Sequence, residues 1–114
     1  MLKLNLAQGP AWIDLAHGVR VEVMPLTTET RIRASHDIRG ADGQMDEDGV
    51  KRDVGYVKSI ARSVIIAWEG VGDADGTPVP VTPEGIDALL DIYDVWHTFH
   101  ARYVLLHPPR PPRR

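Results

Sequence analysis

The chain has 114 residues, 43% of them hydrophobic, and 13 Lys and Arg against 16 Asp and Glu give it a net charge of −3. That length suits one domain that hides about two thirds of its unfolded surface and is short for two. Cysteine is absent, which excludes a disulfide framework, a thiolate nucleophile and a zinc-thiolate site, and leaves nothing to argue for an oxidising compartment.

Leu2, Leu4 and Leu6 alternate with Lys3 and Asn5, Trp12, Ile13 and Leu15 make a second apolar run, and Val19, Val21 and Val23 alternate with Arg20 and Glu22. A period of two is that of a strand. Ala16-His17-Gly18 has the length and the glycine of a hairpin loop, so a small antiparallel β element over 1–24 is expected, ended by Pro25. The opening Met1-Leu-Lys-Leu-Asn-Leu-Ala lacks the continuous apolar core of a signal peptide or a membrane span. A soluble, cytoplasmic product without membrane contact is the expectation.

Thr27 or Thr28 can cap a helix that carries Ile32 and Ala34 inward and Glu29, Arg31 and Arg33 outward, fading near Asp37 to Gly40. Residues 40–49, rich in Gly and Asp, read as a mobile loop. From Val50 to Trp68 the apolar positions Val54, Val57, Ala61, Val64, Ile65 and Trp68 recur at steps of three and four, opposite Lys51, Arg52, Lys58 and Arg62. This predicts a long amphipathic helix whose apolar face widens over Val64-Ile65-Ile66-Ala67.

A turn follows. Asp75-Gly76 supplies a residue free to take positive φ, Pro78 and Pro80 keep the connection extended, and Thr82-Pro83-Glu84 reads as N-cap, proline at the first helical position and carboxylate near the positive helix end. Ile86, Leu89 and Leu90 make a short helix, and Ile92, Val95, Trp96, Phe99, Tyr103 and Val104 continue at helical steps, with Asp94 able to cap a separate last helix. His107-Pro-Pro-Arg-Pro-Pro-Arg-Arg114 reads as an extended polyproline tail in water. The organisation expected is therefore a single α+β domain over 1–106, with a β element followed by a mainly helical part of three to four helices over 27–106, and a disordered tail over 107–114.

Signals for chemistry are weak. Asp73-x-Asp75-Gly76 and Asp46-x-Asp48-Gly49 imitate the middle of a calcium loop, but the first and last ligand positions hold Val71 and Thr82, or Gln44 and Gly55, none of which serves. His97 and His100, three residues after Asp94, could touch a metal only with further ligands that the sequence does not place. Ser35, Ser59 and Ser63 lack a nucleophile-elbow context, and the glycines form no phosphate loop. Neither an enzyme, a cofactor, a metal site nor a small-molecule substrate is expected. No Lys or Arg occurs between Arg62 and Arg102, a span that holds Glu69, Asp73, Asp75, Glu84, Asp87, Asp91 and Asp94, so nucleic acid is a poor partner for this half.

The order W-x-G-V-x-D-x-D-G-x-P-V-P-V-T-P-E-x-I-x-x-L-L from Trp68 to Leu90, behind a β segment ending Val23-Met24-Pro25-Leu26 and a helix, resembles the small tail assembly chaperones of long-tailed bacteriophages, prophages and gene-transfer particles. The resemblance runs from about Val19 to Tyr103 and favours a helix break near Ile92 to Asp94. It implies a homo-oligomeric protein of the host bacterial cytoplasm that coats the hydrophobic helices of the tape-measure protein until the tail tube forms. Trp68, Trp96, Phe99 and Tyr103 are then the candidate protein-binding residues, with simple core packing as the alternative for the stripe from Trp96 to Tyr103. Asp75, Gly76, Thr82, Pro83 and Glu84 are turn and cap residues on either reading. The runner-up function is a structural virion component, such as a tail-completion or head–tail connector protein.

Overall fold

The computed structural model describes residue 1 and residues 9–42 and 49–105. The Leu2 to Leu6 alternation, most of the loop expected over 40–49 and the tail over 107–114 lie outside the described residues. The fold is α+β, with an antiparallel three-stranded sheet packed against four helices.

Strands β1 (Ala11–Asp14) and β2 (Arg20–Val23) form the N-terminal hairpin, with Trp12 opposite Glu22 and Ile13 opposite Val21. Its loop is a single 3₁₀ turn, Ala16–Gly18, in which His17 takes φ 62 and Gly18 φ 74. After Pro25, helix α1 (Thr28–Asp42) opens with the Thr27 hydroxyl accepting the Thr30 amide at 3.2 Å. Ala34 is buried as expected, but Ile32 is 52% exposed. Arg31 turns inward, donating to the Val104 carbonyl at 3.1 Å. The helix ladder continues past Gly40, so α1 outlasts the boundary that its glycine suggested.

The long helix expected over Val50 to Trp68 stops earlier. Helix α2 covers Val50–Val64, and Ile65–Glu69 is β3, hydrogen-bonded antiparallel to β2. The physical reason is local and tertiary at once. Val64, Ile65 and Ile66 are consecutive β-branched residues, stiff in a helix and well suited to a pleated surface, and β2 offers them an unfilled ladder. Strand order is β1-β2-β3. Val23 pairs with Ile65 and Glu22 with Ala67, so Ile66 is an extra residue, a bulge. Ile65 is buried and Ile66 is 48% exposed, and the bulge breaks the alternation at the next step, where Ala67 lies on the same outer side as Ile66.

Beyond β3 the chain forms the expected turn. Gly72 bridges to Pro78, the Asp73 carboxylate accepts the Asp75 and Thr77 amides at 2.9 and 3.0 Å, and Gly76 sits at φ 83. Helix α3 (Pro83–Leu90) starts on Thr82, whose hydroxyl accepts the Gly85 amide at 3.0 Å, with Pro83 at the first turn and Glu84 beside it. The chain breaks at Asp91 and Ile92, and helix α4 (Tyr93–Phe99) runs on into a π-helical turn, His100–Val104. Ile92 occupies the N-cap position without a side-chain bond. Asp94 instead lies in the first turn and meets His17 of the hairpin loop at 3.2 Å.

The core lies between the inner sheet face and the helices. Val21, Val57, Ile60, Val95, Phe99 and Tyr103 are almost completely removed from water, each contributing on the order of 1.5–3 kcal/mol of transfer free energy. Cross-links between elements use the acidic half of the chain. Lys58 and Arg62 of α2 pair with Asp91 and Asp87, and Arg20 of β2 with Glu69 of β3. Glu69, Asp87 and Asp91, three of the acids that cluster by sequence, thus lie on seams of the fold, where an exposed pair is worth about 0–1 kcal/mol.

Candidate functional site

The four candidate protein-binding residues do not share a surface. Phe99 and Tyr103 are both 0% exposed and stack with ring centroids 5.2 Å apart. The Tyr103 hydroxyl donates to the Met24 carbonyl at 2.5 Å, and burial pushes its pKa up against a smaller opposing effect of Arg31. These two rings are core. Trp68 is half-buried, its indole N–H donating to the Val79 carbonyl at 2.8 Å, and its ring edge lies where a side chain on Gly85 would stand. It therefore pins the turn and the start of α3 to the sheet. Trp96 is half-buried against the core, 4.8 Å from the His100 ring, and its buried Nε1 has no acceptor among the described residues.

His97 and His100 do not converge on a common ligand: His97 lies against Tyr93 and His100 against Trp96. Burial lowers the His100 pKa, with Asp53 opposing and His97 reinforcing that shift. Among the described residues no three His, Asp or Glu side chains are grouped to hold a metal ion. A concavity of about 620 Å³ opens between Trp68 and the turn from Gly70 to Val79. Its best polar groups are already used, since Asp73 accepts two turn amides and the Val79 carbonyl accepts the Trp68 indole.

The apolar surface that stays open is on the other side of the sheet. Strand alternation that sends Ile13, Val21, Val23 and Ile65 inward sends Trp12, Arg20, Glu22 and Ala67 outward. The register sets Trp12, Glu22 and Ala67 side by side across three strands, with Ile66 beside them through the bulge. Met24 continues the outward phase of β2 and is 41% exposed, and Trp12 is 39% exposed. One row along lies a charged border, where Arg20 donates to Asp14 and to Glu69, both at 3.0 Å, and covers the Trp12 ring at 4.9 Å. Glu22, half-buried in the middle of the apolar row, makes no ion pair among the described residues.

Sequence reasoning missed this face for two reasons. Trp12 reads with Ile13 and Leu15 as one apolar run, although in a strand it is out of phase with both. On the helix that the sequence predicts, Ile66 and its neighbours give one broad stripe, whereas in a strand adjacent isoleucines point to opposite sides.

The architecture is that of a small α+β protein with one partly apolar sheet face open to solvent. Residues 26–100 match the model of the YdaY prophage protein family, and the chain belongs to that family. No curated protein and no solved structure matches the chain. The family match spans α1 to α4 and includes β3, while β1 and β2 precede it. No helix among the described residues is long and apolar enough to cross a membrane.

Proposed function

We propose that this prophage protein is a tail assembly chaperone: it binds hydrophobic helices of the tape-measure protein and keeps them soluble until the tail tube assembles around them. The observation that carries this reading is the outer sheet face, where Trp12, Met24 and Ile66 stay open to solvent on a rigid hydrogen-bonded support. A shallow apolar face of this kind suits reversible contact with a helix better than a deep pocket would, and an exposed aromatic residue such as Trp12 is a common energetic anchor of such contacts. The activity is binding, without catalysis or cofactor, and takes place in the bacterial cytoplasm. Phe99 and Tyr103 serve it only by holding α4 and the π-helical turn in the core.

Co-expression with the tape-measure protein of the same prophage tests the reading. The expected result is a soluble tape-measure protein that co-purifies with this chain and loses it on tail assembly. A tape-measure protein equally soluble without the chain overturns the proposal. Stoichiometric retention of the chain in finished particles also overturns it and assigns the molecule to the virion structure.

A further inference from the structure

The charges around the open sheet face restrict what can sit there. Asp14, Glu22 and Glu69 border or interrupt the apolar surface, and Arg20 is the cation set among them, already bonded to Asp14 and Glu69. Glu22 is different from the other two carboxylates. It is half-buried between Trp12 on one side and Ala67 on the other, and no cation answers it among the described residues. A carboxylate in an apolar row loses hydration when the row is covered, and a cation on the covering molecule offsets that loss best, because it both pairs with the charge and donates to it.

We propose that the occupant of this face is a basic amphipathic protein segment, whose apolar side chains lie on Trp12, Met24 and Ile66 and whose Lys or Arg is taken by Glu22. The identity of the client rests on the chaperone reading; the chemistry of the face does not. Trp12 adds an aromatic ring beside the cation position, already used in that way by Arg20 at 4.9 Å. A second copy of the chain is a poor occupant, because its own face would bring three carboxylates and one arginine against the same set. Nucleic acid is poorer still, since its phosphates meet the unanswered carboxylate.

The test uses the full-length protein and two synthetic helical peptides of equal length, one built of leucine and lysine and one of leucine and glutamate. Binding is followed by the indole N–H signals in two-dimensional NMR and by titration calorimetry. The leucine–lysine peptide is expected to move the Trp12 indole signal and leave the Trp68 signal, whose proton is held by Val79, in place. The leucine–glutamate peptide should not bind. Glu22→Gln, nearly isosteric, should weaken the basic peptide about fivefold, and Trp12→Ala about thirtyfold. Glu22→Lys should abolish binding, and thermal melts check that each variant is folded.

Equal binding of both peptides, or binding untouched by Glu22→Lys, overturns the proposal. So does a Trp12 signal that moves with protein concentration in the absence of peptide, which assigns the face to a second copy. The two readings fail separately. A tape-measure protein that co-purifies as well with Glu22→Lys as with the parent chain sinks this inference and leaves the chaperone reading standing. Selective binding of the basic peptide together with an indifferent tape-measure protein does the reverse.

Discussion

The backbone of Gly70, at the end of β3, lies against the carbonyl of Gly18 in the β1–β2 hairpin loop so closely that a Cβ on Gly70 would fall 2.5 Å from the Gly18 oxygen. Two turns 52 residues apart in sequence meet there because β2 carries one and pairs with the strand that carries the other. Gly70 also sits at φ 82, a region that costs other residues about 1–2 kcal/mol.

Gly70→Ala combines the two penalties, and the protein should lose more than about 2 kcal/mol of stability in urea unfolding. Gly76→Ala separates them. Gly76 has φ 83 but open space around its Cα, so it should lose only about 1 kcal/mol. Equal losses at the two positions would mean that the contact between the turns does not constrain the fold.

Trp68→Phe keeps most of the ring packing but leaves the Val79 carbonyl without its donor, at a cost of about 1 kcal/mol. Thr82→Ala removes the cap on Gly85, again about 1 kcal/mol. Because the ring of Trp68 and the hydroxyl of Thr82 both border Gly85, the two losses should not add. A double mutant whose stability equals the sum of the single effects would show that the turn and the start of α3 are held independently.

These residues also show where the sequence was legible. The capping pattern Thr82-Pro83-Glu84 and the glycine turns are local chemistry, fixed by the φ and hydrogen-bonding needs of a few neighbours, and they can be read without tertiary knowledge. The first hairpin was legible for the same reason, through its period of two. Ile65–Glu69 was not, because a run of Val and Ile fits the inner turn of a helix and the middle of a strand alike, and only the free ladder of β2 decides between them. The candidate site inherited that ambiguity. With Ile66 and Trp68 on a helix, the apolar surplus points to one broad stripe; on a strand, Trp68 packs inward and Ile66 joins Trp12 outside. Helical spacing sets Trp96, Phe99 and Tyr103 on one stripe, but it says nothing about which neighbour covers each of them.

The stripe gives a direct comparison of core and surface. Phe99→Ala removes a ring that is 0% exposed and should destabilise the protein by about 3–5 kcal/mol. Trp12→Ala removes a larger ring from the open sheet face and should cost about 1 kcal/mol or less, chiefly the Arg20 contact. Chemical denaturation of both variants checks the order, and a loss at Trp12 as great as that at Phe99 would place Trp12 in the core and remove the docking face.

His100 gives the fold a pH dependence whose sign follows from its surroundings. Burial lowers its pKa below the usual 6.5, and His97 adds to that effect while Asp53 works against it. The unfolded chain therefore takes up a proton at this position more readily than the folded one as the pH falls through the histidine range. Linkage then makes stability fully present above about pH 6.5 and progressively lost toward the folded-state pKa. Protonation would also charge a ring that rests 4.8 Å from the half-buried Trp96 and continues the helix into the π-helical turn that carries Tyr103. His100→Gln cannot titrate, so its melting temperature should fall less than that of the parent chain between pH 7.5 and pH 5.5. A parent chain that loses no more than the variant over this interval would show that the His100 environment does not discriminate against the imidazolium.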